Sequence, residues 1–205
     1  MVLTDSQSDA LTELINIGYA RAAGALSTLT GHRVTLAVPK VSVHDIDNIA
    51  PVLRRVLPRD VITVNQVFSG PVSGNALLLL DGDAAAMLSH LLADFPSEPG
   101  PLTGDEREVI TEVGNILLNA CLAVFGNLLK VHVRFSVPHL HVERVEEVLQ
   151  SMVIGDEELD EAMMVHTRFH VRASDVSGYL VILVGVTSLD RLMYELDRWS
   201  QRQLE

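Results

Sequence analysis

Lysine is nearly missing. Only Lys40 and Lys130 occur in 205 residues, against 27 acidic side chains, and the formal net charge is −12. A chain so poor in cations does not build the basic patches that a phosphate backbone demands, which argues against nucleic acid and leaves a protein or a small molecule as the expected partner. Cysteine is nearly missing too. Cys121 alone permits no internal disulfide and no cysteine-built metal centre, and it reads as core filler. The opening Met-Val-Leu-Thr-Asp lacks the basic start of a signal peptide. The longest apolar run, Gly178 to Val186, falls far short of the roughly 20 residues of a membrane span. The expectation is a cytoplasmic protein with no membrane partner. Gly-x-Gly-x-x-Gly, P-loop and Gly-x-Ser-x-Gly motifs are absent, which removes the standard nucleotide and serine-hydrolase signals.

What is present is apolar and repetitive. A hydrophobic content of 48% supplies a full core and excludes disorder. A shift of 99 residues superposes Leu3 on Leu102, Thr4 on Thr103, Glu13 on Glu112, Asn16 on Asn115, Ile17 on Ile116 and Pro39 on Pro138. Thr4-x-x-Gln7 and Thr103-x-x-Glu106 both read as capping boxes that satisfy free N–H groups at a helix start, each preceded by a leucine placed as a hydrophobic staple. Val72-Ser73-Gly74 corresponds to Val176-Ser177-Gly178 at a shift of 104, so about five residues are inserted in the second half; the polar stretch Gly155 to Glu161 is the expected place.

Each half, 1–100 and 101–205, reads as the same series of elements. A long helix leads to a strand (Val34 to Val43, or Val131 to Glu143) and a short helix (His44 to Arg55, or Arg144 to Met152). Two strands follow, Val61 to Phe68 and Val72 to Leu80 in the first half, Ala162 to Val171 and Gly178 to Val186 in the second. A short amphipathic helix closes each half, Asp83 to Leu92 or Leu189 to Arg198. Two such units pair most simply about a pseudo-two-fold axis. The expected fold is α+β, a single domain with one sheet of about six mainly antiparallel strands and two long helices presenting the sites.

Helical phase separates two faces on each long helix. On the first, Leu11, Leu14, Ile15, Gly18, Ala22, Ala25, Leu26 and Leu29 form the predicted buried face. Asp9, Glu13 and Asn16 lie opposite, followed by Ala20, Ala23, Gly24 and Ser27, all small enough to leave a close approach open. On the second, Val113, Leu117, Cys121, Val124, Phe125 and Leu128 are predicted buried, with Glu108, Glu112 and Asn115 opposite, continued by Asn119, Leu122 and Gly126. Asparagine is a mediocre helix former. Its occurrence at matching mid-helix positions therefore calls for a reason other than propensity.

The strings Asp9-x3-Glu13-x2-Asn16-x22-Pro39 and Glu108-x3-Glu112-x2-Asn115-x22-Pro138 resemble the duplicated signature of the CheC family of chemotaxis phosphatases, the CheC/CheX/FliY group, and the resemblance spans essentially the whole chain. It implies a phosphatase acting on the aspartyl phosphate of a CheY-like response regulator. Asn16 or Asn115 would hold the attacking water, Glu13 or Glu112 would pair with a lysine of the regulator, and Asp9, Ala20, Glu108 and Asn119 would lie in the docking surface. It implies no cofactor of the chain's own, the Mg2+ ion being the regulator's, and a CheD-like deamidase as a further partner of the group. Pro39 and Pro138 read as fixing the path of the strand after each helix. The chain departs from the pattern where Glu108 replaces a shorter Asp or Ser, and where Ile15 and Tyr19 flank Asn16 in place of smaller residues. Two alternatives stay open: a binding module for a CheD-like protein or a regulator that hydrolyses nothing, and a structural relative of the FliM middle domain.

Other clusters carry less. His166 and His170 share one strand face and His139 and His141 another, but no acidic or cysteine partner has matching spacing, so no metal site is expected. The acidic stretch Gly155 to Glu161 reads as a solvated loop.

Overall fold

Two 26-residue helices, α1 (Asp5–Thr30) and α4 (Gly104–Leu129), open the two halves of the computed structural model, which describes residues 3–93, 101–148, 159–171 and 174–203. Both capping boxes form. The Thr4 side chain accepts from Gln7 N at 3.2 Å while Gln7 Oε1 accepts from Thr4 N at 3.1 Å. Likewise Glu106 N donates to Thr103 Oγ1 at 3.3 Å, and Thr103 N donates to Glu106 Oε2 at 2.7 Å. α1 stops at Gly31, which takes the left-handed conformation (φ 71°) that glycine adopts at little cost.

The remaining elements are β1 (Val34–Leu36), β2 (Lys40–Asp45), α2 (Ile46–Val56), β3 (Asp60–Ser69), β4 (Gly74–Leu80) and α3 (Gly82–Ala93) in the first half. The second half has β5 (Arg134–Phe135), β6 (His139–Arg144), α5 (Val145–Val148), β7 (Leu159–Val171), β8 (Ser174–Gly185) and α6 (Val186–Gln203). The sheet is antiparallel, in the order β1-β7-β8-β4-β3-β5, with β2 also on β7 and β6 also on β3. Among the described residues it is thus six positions wide although built from eight strands. The strand expected after each long helix lies at a sheet edge and breaks in two at Pro39 or Pro138, whose missing N–H cannot join the ladder. Pairing is carried across both breaks at matching places, by Ala37 N to Arg168 O at 3.0 Å and Ser136 N to Val67 O at 2.9 Å.

The pseudo-two-fold axis lies between β4 and β8. Gly74 and Gly178 hold matching positions where no side chain fits: a Cβ on Gly74 would come within 2.0 Å of Leu183 O, and one on Gly178 within 3.0 Å of Leu79 O. Element starts keep the shift of 99 from α1 to α4 and from β3 to β7, and reach 104 only from α3 to α6. The added residues therefore lie in the β7–β8 hairpin, whose strands run 13 and 12 residues against 10 and 7 in β3 and β4. That corrects the expected insertion point. The acidic stretch is corrected in part as well: Leu159 to Glu161 belong to β7, with a bulge between Leu159 and Glu161, while 155–158 lie outside the described residues.

Alternating strand residues divide between two cores. Val64, Leu78, Val165 and Leu180 meet α1, α3, α4 and α6 on one face of the sheet. Val61, Leu77, Leu79 and Leu183 meet Ile49 and Leu53 of α2 and Val145 and Val148 of α5 on the other. Among the described residues only α4 is long and apolar enough to cross a membrane, but it is the central helix of the first core, packed on α1 and the sheet. Burial follows predicted phase on most of both long helices, with four exceptions. Ala25 and Leu29 are exposed, Leu29 to 60%. Leu122 and Gly126 are buried for different reasons: Leu122 faces Leu192 of α6 and Met163 and Ile182 of the sheet, while residues 131–133 fold back over Gly126, where Val131 O would stand 3.4 Å from a Cβ.

Candidate functional site

α1 and α4 cross closely where Gly18 faces Ala120 and Cys121. A Cβ there would stand 3.0 Å from Cys121 Cα and 3.2 Å from Ala120 O, so only glycine lets the backbones approach this far. The C-terminal end of α1 lies beside the N-terminal half of α4, so the helices run antiparallel and their polar faces both turn away from the sheet. The structure does not merge the Glu-x-x-Asn pairs into one centre. The glutamate of each pair lines its own groove.

The α1 groove, about 670 Å³, is lined by Ser6, Asp9, Ala10, Glu13, Ile17, Trp199 and Ser200. Asp9 and Glu13 are exposed and Asn16 is half-buried beside them. Ile15 and Tyr19 do not intrude on this face. Both are buried, and the Tyr19 hydroxyl is hydrogen-bonded to Thr167 on β7. Burial, aided by the nearby Cys121 thiol, pushes the Tyr19 hydroxyl pKa well above its usual value, so it stays a neutral core group. The far wall comes from α6, which runs past the expected Arg198 to Gln203. It is held to α1 by Gln7 Nε2 donating to Asp197 Oδ2 at 3.2 Å and by the Ser6 and Ser200 hydroxyls at 3.3 Å. Trp199 was not legible as a groove residue, because sequence periodicity places it only at the end of a core helix; its i+3 spacing from Leu196, one side of the apolar stripe, is the available signal.

The α4 groove, about 500 Å³, takes its carboxylates from Glu108 and Glu112 and its apolar walls from Val109, Val113, Leu26, Leu29, Leu92 and Ala93. Leu29 is therefore exposed because it lines a groove. Asn115 and Asn119 are half-buried on the same helix face. Asn115 Nδ2 donates to Glu112 Oε2 at 3.3 Å, and Asn119 Nδ2 donates to Asn115 Oδ1 at 2.7 Å. The small residue on which Asn115 depends is Gly114. A Cβ there would meet Val64 Cγ1 at 2.5 Å, so the helix sits on β3 at a height that only glycine allows. Ala20, the counterpart of Asn119 on α1, is exposed. Among the described residues no three His, Cys, Asp or Glu side chains gather to hold a metal ion. His166 instead stacks on Tyr179 at 4.9 Å, and His170 Nδ1 pairs with Asp175 Oδ1 at 2.8 Å.

Chemically, each groove offers carboxylates that can meet a cation, and one turn along the same helix, outside the groove lining, stands a carboxamide able to donate to one group and accept from another. Among the described residues no hydrogen bond joins a hydroxyl of either groove lining to a carboxylate of that lining. Such a site can orient water and dock a charged partner more readily than it can form a covalent intermediate.

No protein-family model matches the chain. Among curated proteins it is similar to CheC1 of Halobacterium salinarum, named as a candidate CheY-P phosphatase, at 25% identity over 169 residues, 82% of this chain and 85% of that one. It is also similar to the flagellar motor switch phosphatase FliY of Bacillus subtilis, at 22% identity over 176 residues, 85% of this chain but 44% of FliY. The chain thus spans less than half the length of that second relative. Among solved structures, Thermotoga maritima FliY superposes with a TM-score of 0.75 at 18% identity, over 97% of this chain and 99% of that one. The FliM middle domain of H. pylori gives 0.66 at 12% identity, over 94% and 99%. These likenesses show a common fold.

Proposed function

From the CheC family that these relatives support, we propose that the chain hydrolyses the aspartyl phosphate of a CheY-like response regulator. The observation that carries this reading is the repetition of one arrangement: an exposed glutamate and a half-buried asparagine on each long helix, each pair beside a groove with a second carboxylate. An acyl phosphate is already activated. Its hydrolysis needs a water held in line with the bond from phosphorus to the aspartyl oxygen, and charge neutralisation around the phosphoryl group, more than it needs a strong base. Asn16 and Asn115 accept a hydrogen of that water through Oδ1. The water oxygen bonds to phosphorus, the bond to the aspartyl oxygen breaks, the carboxylate stays on the regulator, and inorganic phosphate leaves with both water hydrogens. Glu13 and Glu112 pair with a lysine of the regulator, with Asp9 and Glu108 adding negative charge to the docking face. The Mg2+ ion belongs to the regulator.

One observation favours a second reading, in which the site binds a regulator or a CheD-like deamidase without hydrolysis: both ends of the Asn115 amide already have partners. A single experiment separates the two. Phosphate release from phosphorylated CheY is followed with the wild type, Asn16→Ala, Asn115→Ala and the double variant. The phosphatase reading expects each single variant to keep part of the rate and the double variant to lose about a hundredfold or more, the usual scale for removing one oriented catalytic group. A wild-type protein that binds CheY tightly without accelerating release establishes the binding module instead.

A further inference from the structure

Asn115 is the middle of a three-residue chain along the polar face of α4. The direction of that chain is dictated by chemistry. An ionised carboxylate only accepts, so Glu112 forces Asn115 to turn its Nδ2 toward it at 3.3 Å and its Oδ1 away, toward Asn119. Asn119 must then turn its own Nδ2 to Asn115, at 2.7 Å. What remains is Asn119 Oδ1, buried and, among the described residues, without a partner. Leaving a buried amide oxygen unpaired is unfavourable and calls for an explanation in what the other end of the amide does. On α1 the matching position is Ala20, and the Asn16 side chain makes no hydrogen bond among the described residues.

We propose that Asn119 is a positioning residue for Asn115 and that it makes the two sites unequal, the α4 amide being preset and the α1 amide free to rotate. This rests on the phosphatase reading above. Holding Asn115 does not exhaust it: one Nδ2 hydrogen and one Oδ1 lone pair stay available, enough to accept a hydrogen of the attacking water and to donate to the phosphoryl group. A preset amide removes a rotational loss on the way to the transition state, so its benefit falls in kcat and leaves KM alone. The α4 site is the faster of the two.

The test uses the full chain and radiolabelled phospho-CheY prepared with acetyl phosphate and magnesium. In the Asn16→Ala background, where only the α4 site works, Asn119→Ala and the isosteric, non-donating Asn119→Asp each lower kcat about tenfold at constant KM, the scale of one well-made hydrogen bond. In the Asn115→Ala background, Ala20→Asn supplies the missing donor to Asn16 and raises kcat. A readout free of turnover accompanies these. By NMR the side-chain NH2 of Asn115 exchanges with solvent more slowly than that of Asn16, and Asn119→Asp abolishes the difference. An unchanged kcat for both Asn119 variants, or equal exchange of Asn115 and Asn16 in the wild type, overturns the inference while leaving the phosphatase reading intact. A double Asn16→Ala, Asn115→Ala variant as fast as wild type overturns the phosphatase reading instead, and the positioning role of Asn119 falls with it.

Discussion

Replacing Gly114 with alanine tests whether the height of α4 above the sheet is set by a single missing methyl group. The new Cβ would stand 2.5 Å from Val64 Cγ1 and 2.8 Å from Val64 Cβ. Carbon atoms prefer about 3.5–4.0 Å, so the helix or the strand must yield by about 1 Å. Val64 is fully buried in β3, and its branched side chain has little rotamer freedom with which to retreat. Overpacking of this kind costs about 1–3 kcal/mol. Against it stands the helix preference for alanine over glycine, about 1 kcal/mol, leaving a net loss of about 0–2 kcal/mol for Gly114→Ala. Val64→Ala alone loses about 1.6 kcal/mol of transfer free energy for its two carbons, plus a cavity term. Together the changes offset one another, since the methyl added at 114 occupies space vacated at 64. Urea unfolding of the four members of the cycle, with m unchanged, gives the coupling. We expect at least 1 kcal/mol in the compensating direction. Additivity within about 0.5 kcal/mol, or a Gly114→Ala variant more stable than wild type, refutes the close approach of α4 to β3.

Thr4→Ala and Thr103→Ala each remove a cap and cost about 1 kcal/mol, seen as a fall in Tm of about 2–4 °C for a chain of this size. The second also releases Glu106, whose carboxyl is held below the usual carboxylate range by the Thr103 backbone N–H and then by the Thr103 hydroxyl. Its contribution is present above the unfolded value of 4.5 and lost as pH falls through the lower folded value, so Glu106→Gln flattens the stability curve between 4.5 and that lower value. His166 is depressed by burial first and then by Arg168 and Lys40, so folding favours its neutral form. Stability from this group is full above 6.5, where the unfolded chain is neutral too, and is lost as pH falls. His166→Gln removes that loss, and urea midpoints measured between about pH 7 and 5.5 detect it.

Sequence alone reached the parts of the fold that local chemistry decides. Thr4 and Thr103 declare their helix starts because a cap and its N3 partner sit three residues apart. Pro39 and Pro138 were legible as shaping the strand after each long helix, but not as breaking it in two at a sheet edge, because edge position depends on which strands pair. The exposed carboxylates at 9, 13, 108 and 112 followed from phase. Errors arose where a third element covers a helix. Phase treats α4 as a cylinder with one buried side, so it cannot anticipate that α6 packs against Leu122 or that residues 131–133 close over Gly126. It also exposes Tyr19 to suspicion as a bulky neighbour of Asn16, although the core takes that ring and Thr167 satisfies its hydroxyl. The walls of both grooves were out of reach for the same reason, since Trp199 stands 186 positions from Glu13 and no local pattern joins them.

Under the proposed function, the pseudo-symmetry explains what the two grooves have in common and what sets them apart. Both carry two carboxylates at equivalent helical positions, so a regulator with an exposed lysine is attracted to either with similar long-range forces. That component of binding acts mainly on the association rate and is weakened by salt. The walls differ. Trp199 and Ile17 border the α1 groove, whereas Leu29, Val109 and Leu92 border the α4 groove. Apolar contacts form only after encounter and act mainly on dissociation, so the same regulator leaves the two grooves at different rates. Gly114 and Asn119, both on α4, add a difference at the reacting atoms, one fixing how high Asn115 stands and the other how its amide points. A duplicated fold thus keeps equivalent charges for encounter while its two copies diverge in residence and in chemistry.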